Sequence, residues 1–154
     1  MSHVKPIPEN SSVLIPMLVC RDPSVQVDFC KTTFGAAELG SRSGPDGTVA
    51  HALLSIGGAM VIIEAEWPTL ASRAPQPDGS SPVVIFVYVE DVDKVVERAV
   101  AAGAKVLLPV KNQFWGDRTG RIIDPMGHVW TIATRIEETS TEERKERWSS
   151  IVKG

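Results

Sequence analysis

The sequence is short of cysteine, of long apolar runs and of any excess of positive charge, and each shortage removes a class of protein. Two cysteines, Cys20 and Cys30, in 154 residues are too few for a disulfide-held scaffold. With no CxxC spacing they point neither to redox work nor to zinc, and no His-Asp pattern beside them marks a nucleophile. The polar N-terminus MSHVKPIPENSS carries no secretory signal, so both thiols are expected to be reduced and buried and the protein cytoplasmic. No stretch approaches the roughly 18 uninterrupted apolar residues of a membrane span, so no membrane partner is expected. A formal charge of −3, with lysines and arginines scattered along the chain, gives no basic field for a polyanion. Nucleic acid is therefore not expected as a partner. What is present, 43% hydrophobic and 23% charged residues, is the composition of a globular chain long enough to bury a core without staples.

The stretch from Phe114 to Trp130, FWGDRTGRIIDPMGHVW, organises the rest. Asp124-Pro125-Met126-Gly127 has the chemistry of a type I turn closed by a left-handed glycine. Asp stands at the first corner, Pro with φ already fixed at the second, and Gly where φ must be positive. This predicts a hairpin tip between Arg121-Ile122-Ile123 and Val129-Trp130-Thr131-Ile132, both rich in β-branched or aromatic residues. Ahead of it, Phe114, Trp115, Gly116, Asp117 and Arg118 set two aromatics, an acid and a base at a strand start, which suits a ligand rim. Asp117 and Arg118 are expected to form a local ion pair, and His128, after the turn glycine, to act as a turn-stabilising donor.

Residues 1–12 read as a flexible arm. Val13 to Cys20 is an apolar run of strand length whose Pro16 favours an edge or a bulge. Asp22 and Pro23 start a helix that carries Val25, Phe29, Cys30 and Phe34 and stops at Gly35. Glu38–Arg42 is a short strand, and His51–Ile56, Gly57-Gly58 and Ala59–Glu64 form a hairpin with a two-residue turn. Residues 67–81, dense in Pro, Ser and Gly, read as a linker or a flap. Then the pattern returns: a strand over Pro82–Val89; a helix from Glu90-Asp91 with Val92, Val95, Val96, Ala99 and Val100 on one face; Gly103; a strand over Lys105–Leu108; and the hairpin. Each half is strand, helix, strand, strand, strand, so residues 13–66 and 82–136 form two βαβββ modules. Residues 137–154 add a C-terminal helix with a Ser140–Glu143 capping box and Trp148 and Ile151 as its apolar anchors, packed on its own domain or on a second subunit.

A doubled βαβββ module closing on an Asp-Pro-x-Gly-His hairpin resembles the vicinal oxygen chelate superfamily. That superfamily includes glyoxalase I, extradiol dioxygenases and the bleomycin- and fosfomycin-resistance proteins. More narrowly, His51-Ala52, Glu90-Asp91-Val92, the run from Phe114 to Arg118 and Asp124 to Trp130 are similar to its PhnB-like, glyoxalase-like branch. The resemblance covers about residues 12–136 and implies an α+β fold in which the two modules curve their sheets into a cup. It also implies a homodimer. Metal-dependent members place one ligand on the first and one on the fourth strand of each module, in an open shell of imidazole and carboxylate. Carried over one at a time, those positions fall on Ile15, Ile62, Val84 and Thr131, none of which is a good ligand. The usual metal site is therefore expected to be missing, and no cofactor is expected.

The period-two rule puts Met60, Ile62 and Glu64 on one face, and the Gly57-Gly58 turn pairs His51 with Glu64. An imidazole beside a carboxylate can be a general base, or simply a structural pair. The same parity turns Ile15, Met17 and Val19, and Val84, Phe86 and Tyr88, toward the cup with Trp115, the usual lining of a small-molecule site. Arg121, opposite Thr131, could clamp a carboxylate, phosphonate or enolate oxygen in place of a metal. The expected function is metal-independent binding of a small planar or aromatic organic molecule. Met17, Phe86, Tyr88, Trp115, Arg121 and Thr131 would contact it. The rival expectation is a lyase or isomerase that uses His51 and Glu64 as catalytic base. In a variant of that rival, the pair joins a shifted divalent-metal site with Asp117 or another chain.

Overall fold

The computed structural model describes residues 3–67, 69, 71–76 and 81–154. The chain divides into two compact units, Met1–Ser80 and Ser81–Gly154. The first holds β1 (Met17–Cys20), α1 (Pro23–Phe34), β2 (Ala37–Ser43), β3 (Val49–Ile56) and β4 (Ala59–Ala65). The second holds β5 (Val84–Tyr88), α2 (Val92–Ala101), β6 (Lys105–Asn112), β7 (Asp117–Ile123), β8 (Val129–Arg135) and α3 (Thr141–Lys153). Their four-stranded sheets have one topology, β1-β4-β3-β2 and β5-β8-β7-β6, with the first strand of each parallel to its neighbour and the rest antiparallel. The fold is α+β, built from two βαβββ modules and a C-terminal helix.

Local chemistry starts and stops these elements where the residues dictate. Asp22 and Asp91 sit in extended conformation and accept from Ser24 N and Lys94 N, which satisfies one of the orphan donors at each helix start. Gly35, at φ 66°, closes α1, a conformation that costs most residues energy and glycine little. Gly57 and Gly58 both have positive φ, as the tight turn between β3 and β4 requires. Asp124 builds the last hairpin: its carbonyl accepts from Gly127 N, its Oδ1 from Met126 N and His128 N, and its Oδ2 from Trp130 Nε1 at 2.8 Å. One face of each sheet is covered by its own helix, burying Leu18, Cys20, Ala52, Leu54 and Ile63 in the first module and Ile122, Trp130 and Ile132 in the second.

Several elements differ from expectation. β1 begins at Met17, because Pro16 has no N–H to give the ladder; its carbonyl still accepts from Ile62 N at 2.9 Å. Ile15 therefore precedes the strand, and Val13 and Leu14 are exposed. β5 starts at Val84, after Pro82, and β6 continues to Asn112 through a bulge at Pro109. The covered face of α1 is more polar than its sequence suggests, with Gln26 and Thr33 fully buried and Val25 and Phe34 only partly so. On α2, Val100 is exposed while Val92, Val95, Val96 and Ala99 are buried. Within the expected linker or flap, residues 68, 70 and 77–80 lie outside the described residues, as do residues 1 and 2 of the arm. Trp67 and Ser72 form an isolated antiparallel bridge.

Helix α3 is capped by Ser140, whose hydroxyl accepts from Glu143 N. Trp148 packs on Phe114 at 5.5 Å, and Arg147 bonds both the Phe114 carbonyl and Glu137. Trp148 thus makes an apolar contact on its own domain although it is 52% exposed, and Ile151 is 54% exposed. Among the described residues, no helix is long and apolar enough to cross a membrane.

Candidate functional site

The second module carries a hollow of about 300 Å³ on the sheet face away from α2, lined by Phe86, Leu108, Pro109, Lys111, Gln113, Trp115, Thr119, Arg121 and Thr131. Strand register explains the grouping. Phe86 pairs with Thr131, Thr131 with Arg121 and Arg121 with Leu108, so these side chains form one rung across β5, β8, β7 and β6. The next rung is Tyr88, Ala133, Thr119 and Lys111. Leu108 and Lys111 stand three residues apart and would face opposite sides of a regular strand. The bulge between them absorbs the extra residue and lets both line the hollow.

Hydrogen bonds fix the polar members. Arg121 Nε donates to Thr131 Oγ1 at 3.1 Å, and Gln113 Nε2 to Thr119 Oγ1 at 3.0 Å. Trp115 Nε1 and Tyr88 Oη both donate to Asp117 Oδ2, each at 2.7 Å. Asp117, 2% exposed, therefore holds the indole that forms one wall. The phenol of Tyr88 is pushed above its ordinary range, first by its hydrogen bond to Asp117, then by burial and the carboxylate's charge, with Arg135 pulling the other way. It stays a neutral donor.

The structure corrects the ion pair expected between Asp117 and Arg118. Neighbours on a strand point to opposite faces. Asp117 turns to Tyr88 and Trp115, while Arg118 crosses to α2 and makes a two-pronged contact with Asp93 at 2.9 and 3.0 Å. That contact draws the Asp93 carboxyl below its usual range. Phe86, Trp115, Arg121 and Thr131 come together in the hollow, Tyr88 sits one rung away tied to Asp117, and Met17, half exposed, belongs to the first module. Leu108, Pro109, Lys111, Gln113 and Thr119 were not singled out from sequence. Pro109 was the one available signal of the bulge that brings them in.

In the first module, His51 and Glu64 do lie directly opposite each other, in a rung that runs Arg42, His51, Glu64, Val19. Among the described residues, the hydrogen-bond partner of Glu64 is Ser72, at 3.2 Å, rather than His51. Cys20 and Cys30 are fully buried thiols. His128 contributes its backbone N–H to the Asp124 turn.

The positions that would hold the resembled superfamily's metal do not fit one. Of the four positions, Ile15 precedes β1 and Val84 pairs with Val129, while Ile62 stands opposite Met17 and Thr131 opposite Phe86, so these places offer hydrocarbon, a thioether and a single hydroxyl. That hydroxyl oxygen already accepts from a guanidinium, whose fixed positive charge repels a cation. Among the described residues, no group of three or more His, Cys, Asp or Glu is placed to hold a metal ion.

Comparison with known proteins agrees with this architecture. The family described as Glyoxalase/Bleomycin resistance protein/Dioxygenase superfamily matches residues 12–132. An uncharacterized protein of Mycobacterium tuberculosis is 39% identical over 140 residues, covering 89% of this chain and 82% of its own. Among solved structures, TioX from Micromonospora sp. ML1 is 30% identical with TM-score 0.64, covering 82% of this chain and all of its own. The fosfomycin resistance protein FosX from Listeria monocytogenes, complexed with Mn(II) and sulfate, has TM-score 0.63 at 20% identity over 90% of this chain and 98% of its own. At that identity the likeness is one of fold.

Proposed function

This chain belongs to the glyoxalase/bleomycin resistance protein/dioxygenase superfamily, and we propose that it binds a small planar or aromatic organic molecule in the hollow of its second module. The observation that carries the reading is the wall of that hollow. Phe86 and Trp115 flank it, the indole is held by Asp117, and Arg121, Thr131, Thr119 and Gln113 supply a few fixed polar groups. Apolar walls with a small number of oriented polar handles are what small-molecule sites share. The reading is metal-independent, because the donor set at the superfamily's ligand positions is unsuited to a cation. We place the protein in the PhnB-like branch on the residues from Phe114 to Trp130. We further infer a cytoplasmic homodimer, in line with the two buried thiols and the largely exposed apolar residues of α3.

The rival reading, a lyase or isomerase, draws support from the register that sets His51 opposite Glu64. Thermal-shift measurements on chelator-stripped protein separate the two. Planar organic ligands alone should raise the melting temperature, Trp115→Ala should abolish most of that rise, and His51→Ala should weaken binding by no more than about threefold. A rise that requires a divalent metal and disappears in His51→Ala would put the enzyme first.

A further inference from the structure

We infer that the hollow of the second module is selective for an anion, and that the planar molecule it takes carries a carboxylate received by Arg121 and Lys111. This rests on the reading that the hollow binds a planar organic molecule, and adds the charge that molecule bears. Two of the nine lining residues are cations, and none is a carboxylate. The nearest acid in sequence, Asp117, already accepts from Tyr88 and Trp115 and is closed to solvent.

Arg121 is half-buried and preset. Its Nε is held by Thr131 Oγ1, which fixes the plane of the guanidinium and leaves both Nη groups without a partner among the described residues. A planar fork with two unengaged N–H edges matches a carboxylate, which it can bind through two parallel hydrogen bonds. Lys111 stands one rung further along and also has no ion-pair or hydrogen-bond partner among the described residues. Rungs on one face repeat every two residues, roughly 7 Å apart, so the ammonium can close over the outer side of a group seated at Arg121. The hydroxyls of Thr131 and Thr119 each accept a bond from the protein, so their own hydrogens remain to be donated. The polar lining is therefore donor-rich, with the Gln113 carbonyl as its chief acceptor. A neutral ligand in the same place would leave the guanidinium partly stripped of water and unpaired, a cost that an anion removes.

Isothermal titration with three probes tests this: naphthoate, its neutral amide, and cyclohexanecarboxylate. Naphthoate should bind at least about tenfold more tightly than the amide. Arg121→Gln should erase most of that difference, by weakening naphthoate far more than it changes the amide. Lys111→Gln, an exposed edge-strand change, should weaken naphthoate severalfold, and added salt should weaken both carboxylates while leaving the amide unchanged. Equal binding of naphthoate and its amide would overturn the anion inference and leave the aromatic hollow standing. Equal binding of naphthoate and cyclohexanecarboxylate, with the amide weak, would support the anion inference and overturn the aromatic reading. Binding of none of the three would overturn both.

Discussion

Asp117 is the residue whose removal reports most directly on the site. Its Oδ2 accepts from both Trp115 Nε1 and Tyr88 Oη at 2.7 Å, lengths typical of bonds to a charged acceptor. Such bonds are worth about 1.5–3 kcal/mol each. Tyr88 is largely exposed, so its hydroxyl recovers water when the carboxylate goes, and its share falls near the bottom of that range. Trp115 is half-buried and its share lies higher, while relief of the desolvated charge returns part of the sum. Asp117→Ala should therefore cost about 2–3 kcal/mol and free the indole from the wall of the hollow. Asp117→Asn can keep one oxygen facing both donors and should cost about 1 kcal/mol. Tyr88 is the only tyrosine in the chain, which makes an ultraviolet titration of its phenol unambiguous. In the parent protein the phenol should ionise above its ordinary 10.0, and Asp117→Asn should bring it back down. The linkage has a definite sign. The neutral phenol is favoured in the folded state, so its contribution is complete below pH 10.0 and is lost as pH rises through the folded value. A phenol that ionises at or below 10.0 in the parent, or does not move in Asp117→Asn, would refute the placement of this bond.

Asp124→Ala strips three donors, Met126 N, His128 N and Trp130 Nε1, of a buried acceptor and should cost about 3–4 kcal/mol in urea unfolding of the second module. Asp124→Asn, which must lose the bond to Trp130 or those to the turn, should cost about 1–2 kcal/mol; equal losses would show that the carboxylate is not the hub of the hairpin. Gly116→Ala would set a Cβ 2.5 Å from the Glu137 carbonyl at φ +103°, whereas Gly35→Ala, at φ +66°, meets nothing within 4 Å. The first should destabilise by more than about 2 kcal/mol and the second by about 1 kcal/mol, with thermal melts giving the order.

Much of the fold was legible because its signals are local. Asp22 with Pro23, Asp91, Gly35 and the Gly57-Gly58 turn announce element ends by their own backbone chemistry. Counting outward from two turns placed His51 opposite Glu64 and Arg121 opposite Thr131, and both registers hold. What could not be read depends on partners distant in sequence. Asp117 and Arg118 look like a pair when written side by side, yet Asp117 accepts from Trp115 nearby and from Tyr88, 29 residues away, while Arg118 reaches Asp93, 25 residues away, from the opposite face of β7. The bulge in β6 is a tertiary accommodation, and without it Lys111 would have been assigned to the wrong face. Gln26 and Thr33 broke the apolar stripe expected of α1 because a helix buries whatever faces its sheet.

Taken separately, the two modules place equivalent rungs on one scaffold and fill them with different chemistry. Met17 and Phe86 each lie five residues before their helix caps. The rung Met17, Ile62, Leu53, Gly40 therefore answers Phe86, Thr131, Arg121, Leu108, and Val19, Glu64, His51, Arg42 answers Tyr88, Ala133, Thr119, Lys111. In the first module the inner rung is hydrocarbon, thioether and glycine, and the polar groups gather on the outer one, where an acid and an imidazole face each other. In the second, a guanidinium occupies the inner rung and the outer one has lost both acid and imidazole. Backbone pairing does not distinguish the two, so a shared topology cannot fix a shared chemistry. The difference lies in side chains that point away from the helices, where packing against the core does not constrain them. Arg42 and Lys111 are the one charge kept at an equivalent place, each on an edge strand and each exposed. A cation there suits the edge whatever the lining does, since it discourages strand-to-strand association. Arg121 has no such structural reason: its first-module counterpart is Leu53, and a hydrocarbon suffices for the sheet. In the proposed reading, this half-buried guanidinium, held in place by a threonine where the scaffold asks only for leucine, is the group that receives the anion.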